Sequence, residues 1–501
     1  MKLTKSLLLA SAAGLAAVAT ASAADLPSKK AAPVEYVKVC SAYGPGFYYI
    51  PGTQTCIRVG GYAEFQAYGI NKYTQNTVGT GGNGQATAAG KTRGLTDTVN
   101  DHAEARIFLD ARDNTEFGLL RTFARLTWIR SSGSDDNSGS QPRRAQYFSG
   151  SGSYSAVQTG FSTAEAYIQL GGALVGRTTS FASVGAPSLQ YTTMQPSSGR
   201  VNQIAYTASL GNGMSLSAVV EDAAELREGT FVSNYTAANQ TYNGVTYTNG
   251  NGGTSYDVTT PANNMPDGVV SFDVAQSWGT VKLAGVLHQV YVPGYTSDNS
   301  LNSDLGRSSK TGFAGMSQVK INLPMIAAGD YATVYGAYAN GALGRTIGNV
   351  ATDTANSALS AVGVGGNNSF GLGDARWAGY DATVNTTTGL VKLSTSFSLG
   401  GEFKHYFTPS VAAYLGGTYG AIRYGSGKQS SSISEFAPHD ANMWGVALGA
   451  VWSPVSGLEI NPEVAYRKSN ISGGNGVVDG NKQGVKNDDQ YIGRIRVARS
   501  F

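Results

Sequence analysis

The sequence predicts an all-β protein, a 16-stranded antiparallel transmembrane β-barrel with long external loops. Three observations predict this fold: apolar and polar residues alternate with a period of two, short and long connections alternate, and charged residues are scarce while glycine is abundant. Charged residues make up 14% of the chain, and 66 of its 501 residues are glycine. Soluble domains average roughly 25% charged residues and about 7% glycine.

Residues 1–23 have the pattern of a cleaved export signal. Lys2 and Lys5 precede an apolar stretch, SLLLASAAGLAAVAT. Ala21-Ser22-Ala23 then forms a typical cleavage site with small residues. Beyond this segment the sequence has no run of about 18 apolar residues, the length that a transmembrane helix requires. We therefore expect an exported protein whose apolar residues are spread over strands.

Two cysteines, Cys40 and Cys56, bound the stretch CSAYGPGFYYIPGTQTC. In an exported protein such a pair most simply forms a disulfide. A metal or redox pair is the alternative, but the spacing is not C-x-x-C and no histidine is nearby. We expect residues 24–55 to form an N-terminal periplasmic segment held by this disulfide, and residues 56–501 to form the barrel.

Strand-like segments follow one another from Cys56 onward. Each has one apolar face and one face that carries polar or charged residues, as expected for strands with lipid on one side and water on the other. A soluble sandwich shows the same alternation, so a single strand decides little. The clearest examples are residues 56–69, 102–112, 443–452 and 458–467.

The connections between these segments discriminate better, because they alternate between two classes. Seven are short turns, near residues 113–117, 171–172, 211–213, 278–279, 324–329, 408–410 and 453–457. Eight are long and rich in Gly, Ser, Thr and Asn, at about residues 70–101, 131–162, 178–199, 222–267, 291–311, 341–394, 425–441 and 469–488. Seven plus eight connections join 16 strands. Outer-membrane barrels have this even strand number, with short periplasmic turns and long external loops.

Several longer stretches are distinctive as whole motifs. They include YVKVCSAYGPGFYYIPGTQTCIRVGGY, AYIQLGGALVGRTTSFAS, VAQSWGTVKLAGVLHQV and GRIRVARSF, and together they extend from Tyr36 to Phe501. These stretches resemble the general porins of alphaproteobacterial (Rhizobiales-type) outer membranes. The resemblance implies a homotrimer of water-filled barrels, surrounded by outer-membrane lipid and lipopolysaccharide, that passes small hydrophilic solutes by diffusion. It also implies that the third long loop folds inward as a constriction.

In a diffusion pore the functional residues line the lumen, where their charge and size set selectivity. Strand parity places ten charged residues on the inward face: Arg58, Glu64, Glu104, Arg106, Asp110, Arg112, Arg121, Arg125, Arg494 and Arg496. Closure of a barrel brings the last strand beside the first. We therefore expect one contiguous basic wall, formed by Arg58, Arg106, Arg121, Arg125, Arg494 and Arg496. The alternative is that each arginine pairs with Glu64, Glu104 or Asp110.

The predicted constriction loop departs from the porin pattern. General porins usually carry acidic residues on this loop, whereas residues 178–199 contain no Asp, Glu, Lys or Arg. We therefore expect a weak anion preference, or little preference. The loop also contains Phe181 and Tyr191, which could form an aromatic slide in a substrate-selective channel, for example for sugars. A surface or adhesive barrel protein is a third hypothesis.

Residues that could support catalysis are sparse. The histidines His102, His288, His405 and His439 are scattered and match no metal-binding spacing. The stretch YGSGKQS lacks the first glycine and the Ser/Thr of a phosphate loop, and no G-x-S-x-G motif occurs. The formal net charge is only +3, which does not indicate a nucleic-acid partner. We predict no enzymatic activity, no cofactor and no metal site.

Overall fold

The structure is a computed structural model. It describes residues 38–70, 76–80, 86–91, 99–132, 157–189, 196, 199–222, 224–235, 240–242, 245–247, 255–259, 265–292, 308–347, 369–372, 375–385, 390–425, 438–472, 477–478, 484–485 and 487–501. The predicted export signal and Tyr191 lie outside the described residues. The chain divides into two compact units, residues 1–57 and residues 58–501.

The first unit is built around a disulfide between Cys40 and Cys56, whose Cα atoms lie 6.0 Å apart. Both cysteines are buried together with Phe47. Tyr48 and Tyr49 form a two-residue strand that pairs with Ile57 and Cys56. Closing a loop of this size restricts the unfolded chain and contributes about 3 kcal/mol of stability. The predicted disulfide is confirmed.

The barrel consists of 16 strands in one closed antiparallel sheet. In chain order they are β1 (Cys56–Ile70), β2 (Val99–Thr115), β3 (Gly118–Ser132), β4 (Val157–Leu170), β5 (Ala173–Thr179), β6 (Arg200–Gly211), β7 (Met214–Asp222), β8 (Asp267–Gln276), β9 (Gly279–Val292), β10 (Ser308–Asn322), β11 (Tyr331–Asn340), β12 (Thr395–Thr408), β13 (Val411–Arg423), β14 (Asp440–Trp452), β15 (Leu458–Ser472) and β16 (Asn487–Ser500).

The sheet closes because β16 pairs with β1, from Tyr62 opposite Ser500 to Ile70 opposite Ile492. Beyond this register the Gly61 N–H donates to the carbonyl of Phe501 at 3.1 Å, and the Phe501 N–H donates to the carbonyl of Gly61 at 3.0 Å. The predicted short turns and long connections fall between the strands as expected. The predicted fold class is therefore confirmed.

Side-chain burial follows the predicted alternation. On β15, for example, Val464 is 59% exposed whereas its neighbour Glu463 is 2% exposed. A closed sheet has an inner and an outer face, so the exposed apolar side chains mark the outer face and the buried polar ones mark the lumen. No helix of the described residues is long and apolar enough to cross a membrane.

The long connections carry short elements of their own. A helical turn, α1 (Leu343–Thr346), follows β11. A four-stranded sheet joins two loops, since Thr230–Tyr235 pairs in parallel with Ala382–Asn385, and these strands are flanked by Ser255–Thr259 and Leu390–Leu393. Four two-stranded ribbons complete the described loop structure: Asn76–Thr80 with Ala86–Lys91, Gln240–Tyr242 with Val245–Tyr247, Ser369–Leu372 with Ala375–Ala378, and Val477–Val478 with Gly484–Val485.

Candidate functional site

Residues 180–189, which begin the third long loop after β5, lie inside the barrel. The Gly185 N–H donates to the side-chain oxygen of Gln318 on β10 at 2.9 Å. The N–H groups of Ser188 and Leu189 donate to one carboxylate oxygen of Glu402 on β12, at 3.0 and 3.2 Å. Because β10 and β12 lie five and seven strands beyond β5, the loop runs along the inner face of the wall. The inward fold of this loop is as predicted.

The wall beneath this loop is apolar. Alanine and valine side chains on the inner face of β6–β11, together with Met316 and Tyr335, form one buried cluster with Ala182 and Val184 of the loop. Phe181 is partly buried and packs against this cluster, so its ring covers an apolar surface. Its predicted role in an aromatic slide stays a prediction. The loop is therefore fixed by apolar packing and by hydrogen bonds to its backbone, which explains how it folds inward without charged side chains.

The opposite wall, on β1–β4 and β16, carries the predicted charged residues, and we call it the arginine wall. Asp110 on β2 accepts hydrogen bonds from two arginines of this wall. Arg112 donates to Asp110 from Nε at 3.1 Å and from Nη2 at 2.7 Å, and Arg121 does so at 2.8 and 3.0 Å. Two bidentate pairs on one carboxylate hold both guanidinium groups in fixed planes.

Six of the remaining predicted residues, Glu64, Glu104, Arg106, Arg125, Arg494 and Arg496, also lie in ion pairs. Arg496 donates to Glu64 at 2.7 Å, and Arg106 pairs with Glu104. Arg494 is buried, and it donates to Asn461 at 2.5 Å and to Glu463 at 3.4 Å. Arg125 and Arg200 share Glu165, at 3.3 and 3.2 Å. Glu165, Arg200 and Glu463 were not among the predicted residues. They lie on β4, β6 and β15, whereas the predicted pore-lining residues lie on β1, β2, β3 and β16.

Aromatic rings lie under several of these arginines. Phe108, Phe123 and Tyr167 stack across β2, β3 and β4, with ring centroids 5.8 and 5.3 Å apart. The guanidinium carbons of Arg121 and Arg125 lie 5.1 and 5.5 Å from the Phe123 ring centroid. Arg58 lies 5.0 Å from the ring of Phe108. We call Phe108, Phe123 and Tyr167 the aromatic shelf. Phe108 lies two residues from Arg106, and Phe123 lies two residues from Arg121 and Arg125, so each ring shares a strand face with arginines. This pattern in the sequence could have predicted the aromatic shelf.

The arginine wall carries a small positive surplus. Its described inward side chains include seven arginines, namely Arg58, Arg106, Arg112, Arg121, Arg125, Arg494 and Arg496, and four carboxylates, namely Glu64, Glu104, Asp110 and Glu165. The flanking residues that form ion pairs with this wall, Arg200, Glu459 and Glu463, add one positive and two negative charges. Eight arginines against six carboxylates leave a surplus of two. Three of the six predicted wall arginines, Arg106, Arg121 and Arg496, pair with the carboxylates that the alternative named. Arg125 and Arg494 pair with Glu165 and Glu463 instead.

The described residues 226–229 and 342–347 belong to two further long loops and lie inside the long-loop end of the barrel, which the sequence did not predict. Arg345 of α1 is 2% exposed. It donates to Glu221 on β7 at 2.8 Å, to Asp267 on β8 at 2.7 Å and to Ser180 at 3.1 Å. His288 on β9 lies 2.8 Å from the same Asp267. The sequence signal was weak, a lone arginine within the small and apolar residues NGALGRTIG.

Asp381 joins these two loops. It accepts hydrogen bonds from the N–H groups of Leu343 at 2.6 Å and Glu228 at 2.9 Å. Glu228 itself is 2% exposed, and among the described residues neither of its side-chain oxygens has a hydrogen-bond partner. Burial, and then the neighbouring Asp381 carboxylate, raise the pKa of Glu228 well above its usual value.

The four histidines lie apart, as their spacing in the sequence suggested. His288 belongs to the Arg345 cluster, His405 lies 2.6 Å from Asp330, His102 lies 3.5 Å from Glu64, and His439 is buried beside Asp440. Within the described part of the chain no group of three or more His, Cys, Asp and Glu side chains is placed to hold a metal ion.

Comparisons with known proteins agree with this geometry. A family model described as "Porin subfamily" matches residues 25–493. Porin Omp2a of Brucella ovis is 33% identical over 234 residues, which are 44% of this chain and 60% of that protein. Porin Omp2b of Brucella abortus is 32% identical over 291 residues, 56% of this chain and 65% of that protein. The matches therefore span less than two thirds of these relatives.

One solved structure shares the fold at a TM-score of 0.54. It is the outer membrane channel DcaP of Acinetobacter baumannii, which is 13% identical, with 89% of this chain and 97% of that chain covered. At this identity the likeness concerns the fold alone.

Proposed function

The chain belongs to the porin subfamily of outer-membrane barrels, and on this premise we propose that it forms a water-filled channel for passive diffusion of small hydrophilic solutes and ions. The observation that carries the proposal is the pairing of an inward-folded third loop with an opposite wall of arginines. The loop is held by Gln318 and Glu402, while side chains such as Arg112 and Arg121 keep about a quarter of their surface exposed. Exposed charge inside a closed barrel supports an aqueous path.

Liposome swelling tests this function. Proteoliposomes should admit sugars at rates that fall smoothly with sugar size and rise linearly with concentration, because diffusion through a pore has no binding step to saturate. Swelling that saturates and is inhibited by one sugar would contradict the proposal and favour a substrate-selective channel. Failure of any solute to enter would favour the surface or adhesive barrel.

We extend the proposal to ion selectivity, where the wall's charges support a weak anion preference. Each carboxylate partner neutralises part of the arginine field, yet a surplus of two positive charges remains on the wall and its flanking pairs. The described part of the third loop contributes no ionised side chain. Reversal potentials measured across a planar bilayer under a KCl gradient should indicate slightly greater chloride than potassium permeability. Strong potassium selectivity would contradict it.

We further propose that the chain consists of an export signal, a periplasmic segment and a barrel, and that three copies assemble into a homotrimer. Residues 1–23 would be removed on export, residues 24–55 would form the periplasmic segment, and residues 56–501 would span the outer membrane among lipid and lipopolysaccharide. The ten predicted pore-lining residues and the loop residues Phe181 and Tyr191 would face the solute path of each subunit in a homotrimer. Single-channel recordings in which conductance steps appear in groups of three would support the homotrimer. We expect the purified protein to show no enzymatic activity.

A further inference from the structure

Two long loops besides the third contribute residues to the lumen. We infer that residues 226–229 and 342–347, which we call the loop plug, form a second constriction at the long-loop end of the barrel, with Arg345 as its positioning residue. This inference rests on the proposed channel function and deepens it, because it assigns part of the solute size limit to loops that carry none of the predicted pore residues.

Arg345 anchors the plug through buried charge. Its guanidinium group bridges Glu221 and Asp267, at 2.8 and 2.7 Å, and both carboxylates have no exposed side-chain surface. Removing one partner from such a buried pair leaves an uncompensated charge, which is strongly unfavourable. If residues 342–347 moved outward, Glu221 would lose its arginine. The buried carboxylates of β7 and β8 therefore favour the inward position of the loop.

Neutral contacts fix the rest of the segment. The Ser398 hydroxyl donates to the carbonyl of Thr346 at 2.7 Å, and the hydroxyls of Thr346 and Ser396 lie 2.5 Å apart. Both serines belong to the inward face of β12. Ala342 is fully buried in the apolar cluster that lines β6–β11. The segment thus contacts the inner faces of β7, β8 and β12.

The two halves of the plug fit closely against each other. A Cβ added at Gly344 would clash with the carbonyl oxygen of Leu226 and would lie 2.9 Å from its carbonyl carbon. Asp381 then ties the halves together, since it accepts from Leu343 and Glu228, and its own N–H donates to the carbonyl of Gly229 at 3.0 Å. The absence of a side chain at residue 344 is therefore a requirement of the packed plug.

The plug and the start of the third loop share part of the barrel wall. The plug contacts β7, β8, β9 and β12. The third loop contacts β10 and β12, and its Leu189 also packs in a buried cluster with residues of β1, β13, β14, β15 and β16. Ser180 links the two elements, because its hydroxyl accepts from Arg345 and donates to Glu221 at 2.9 Å. The plug and the third loop are therefore joined by hydrogen bonds inside the lumen.

The test is Gly344→Ala, a change that adds one methyl group and alters no charge. The added Cβ should separate the two halves of the plug, so we expect single-channel conductance to rise on the order of 1.5-fold and larger sugars to enter liposomes. Gly285→Ala on β9 is the matched control, because an added Cβ there meets no atom within 4 Å. It should conduct like the wild type.

A cross-link makes the test reversible. Thr346→Cys with Ser396→Cys, added to the Gly344→Ala variant, should form a disulfide that holds the plug against β12. Conductance should return to the wild-type value under oxidation and rise again under reductant, while the wild type measured under both conditions controls for Cys40–Cys56. Arg345→Gln provides a second variant should Gly344→Ala fail to fold, and its conductance should rise in the same direction.

The outcomes separate this inference from the proposed function. Wild-type conductance in both Gly344→Ala and Arg345→Gln would overturn the plug while leaving the channel intact. Absence of conductance in the wild type would overturn the channel itself. A rise that the cross-link does not reverse would also contradict the plug, since it would place the limiting change elsewhere in the barrel.

Discussion

Arg496 donates from Nε to Oε2 of Glu64 at 2.7 Å, across the strand pair that closes the barrel. The same guanidinium group donates from Nη1 to Glu459 on β15 at 2.7 Å. One arginine therefore links β15, β16 and β1, at the point where the two ends of the sheet meet. The side chains of Arg496 and Glu64 are 24% and 9% exposed, so this pair is better shielded from water than an ordinary surface ion pair.

Replacement of Arg496 by methionine should destabilise the barrel. The change removes the arginine partner of the largely buried Glu64 carboxylate, beside which His102 remains at 3.5 Å, and this loss costs about 1–3 kcal/mol. Urea unfolding followed by intrinsic fluorescence measures this loss. Arg499→Met is the matched control, because Arg499 is exposed and bonds only backbone carbonyls among the described atoms, at Ser456 and Ser500. Equal losses in both variants would show that closure does not depend on the Arg496 pair.

The arginine wall predicts a change in selectivity when Asp110 is neutralised. Asp110→Asn leaves Arg112 and Arg121 without their shared carboxylate and raises the wall's surplus by one charge. We expect the chloride-to-potassium permeability ratio to rise roughly twofold, measured as a reversal potential under a KCl gradient. Asp273→Asn on β8 is the control, because Asp273 pairs with Lys282 at 2.9 Å on the opposite side of the barrel. An equal shift in both variants would assign selectivity to total lumen charge instead of this wall.

Strand parity predicted the arginine wall because it requires only local information. In a strand, residues two apart share a face, so Asp110 and Arg112 lie side by side, and the short turn that follows brings Arg121 opposite Arg112. Barrel topology predicted that the last strand lies beside the first, but it did not predict that Arg496 is the partner of Glu64 across this seam.

The loop plug could not be predicted in this way. Arg345 lies 124 residues from Glu221 and 78 residues from Asp267 in the sequence, and no periodicity relates a loop residue to a strand residue at such separations. Its inward position depends on three loops that pack together with the ends of four strands. The role of Glu402 in holding the third loop was also not predictable. Strand alternation places Glu402 on the inward face, but no local pattern indicates that it accepts from the backbone N–H groups of residues 188 and 189.

The buried carboxyl of Glu228 predicts a pH dependence of stability. Burial and the neighbouring Asp381 raise its pKa well above 4.5, so the folded protein holds this proton to higher pH than the unfolded chain. Stability should therefore fall as pH rises above about 4.5 toward the raised pKa, because the native state binds more protons in that window. Glu228→Gln should remove this loss and leave the variant more stable than the wild type at about pH 8, with little difference at about pH 4.

Urea midpoints measured at several pH values give this comparison directly. Glu165→Gln is a suitable control, since Glu165 is paired with Arg125 and Arg200 and its neutralisation should destabilise the protein at neutral pH. A Glu228→Gln variant that is less stable than the wild type at about pH 8 would mean that the carboxylate is ionised and paired in the native state.

The aromatic shelf predicts that Phe123 supports the arginines above it. Phe123 is 6% exposed and lies between the rings of Phe108 and Tyr167, with two guanidinium groups on its surface. Phe123→Leu keeps the position apolar but removes the ring, so about 1–2 kcal/mol of stability should be lost from stacking and cation–π contacts. Without the ring, Arg121 and Arg125 lose a flat support, and current through single channels should become noisier.

Phe161→Leu is the matched control for this shelf. Phe161 pairs with Trp128 at a centroid distance of 5.3 Å, but it is 61% exposed and lies on the outer face. Its replacement should leave the conductance, its noise and the reversal potential unchanged, because no pore charge rests on that ring. If Phe123→Leu alters stability alone, the shelf is a packing feature of the wall. If it also alters the current while Phe161→Leu does not, the aromatic residues help to position the charges that solutes meet.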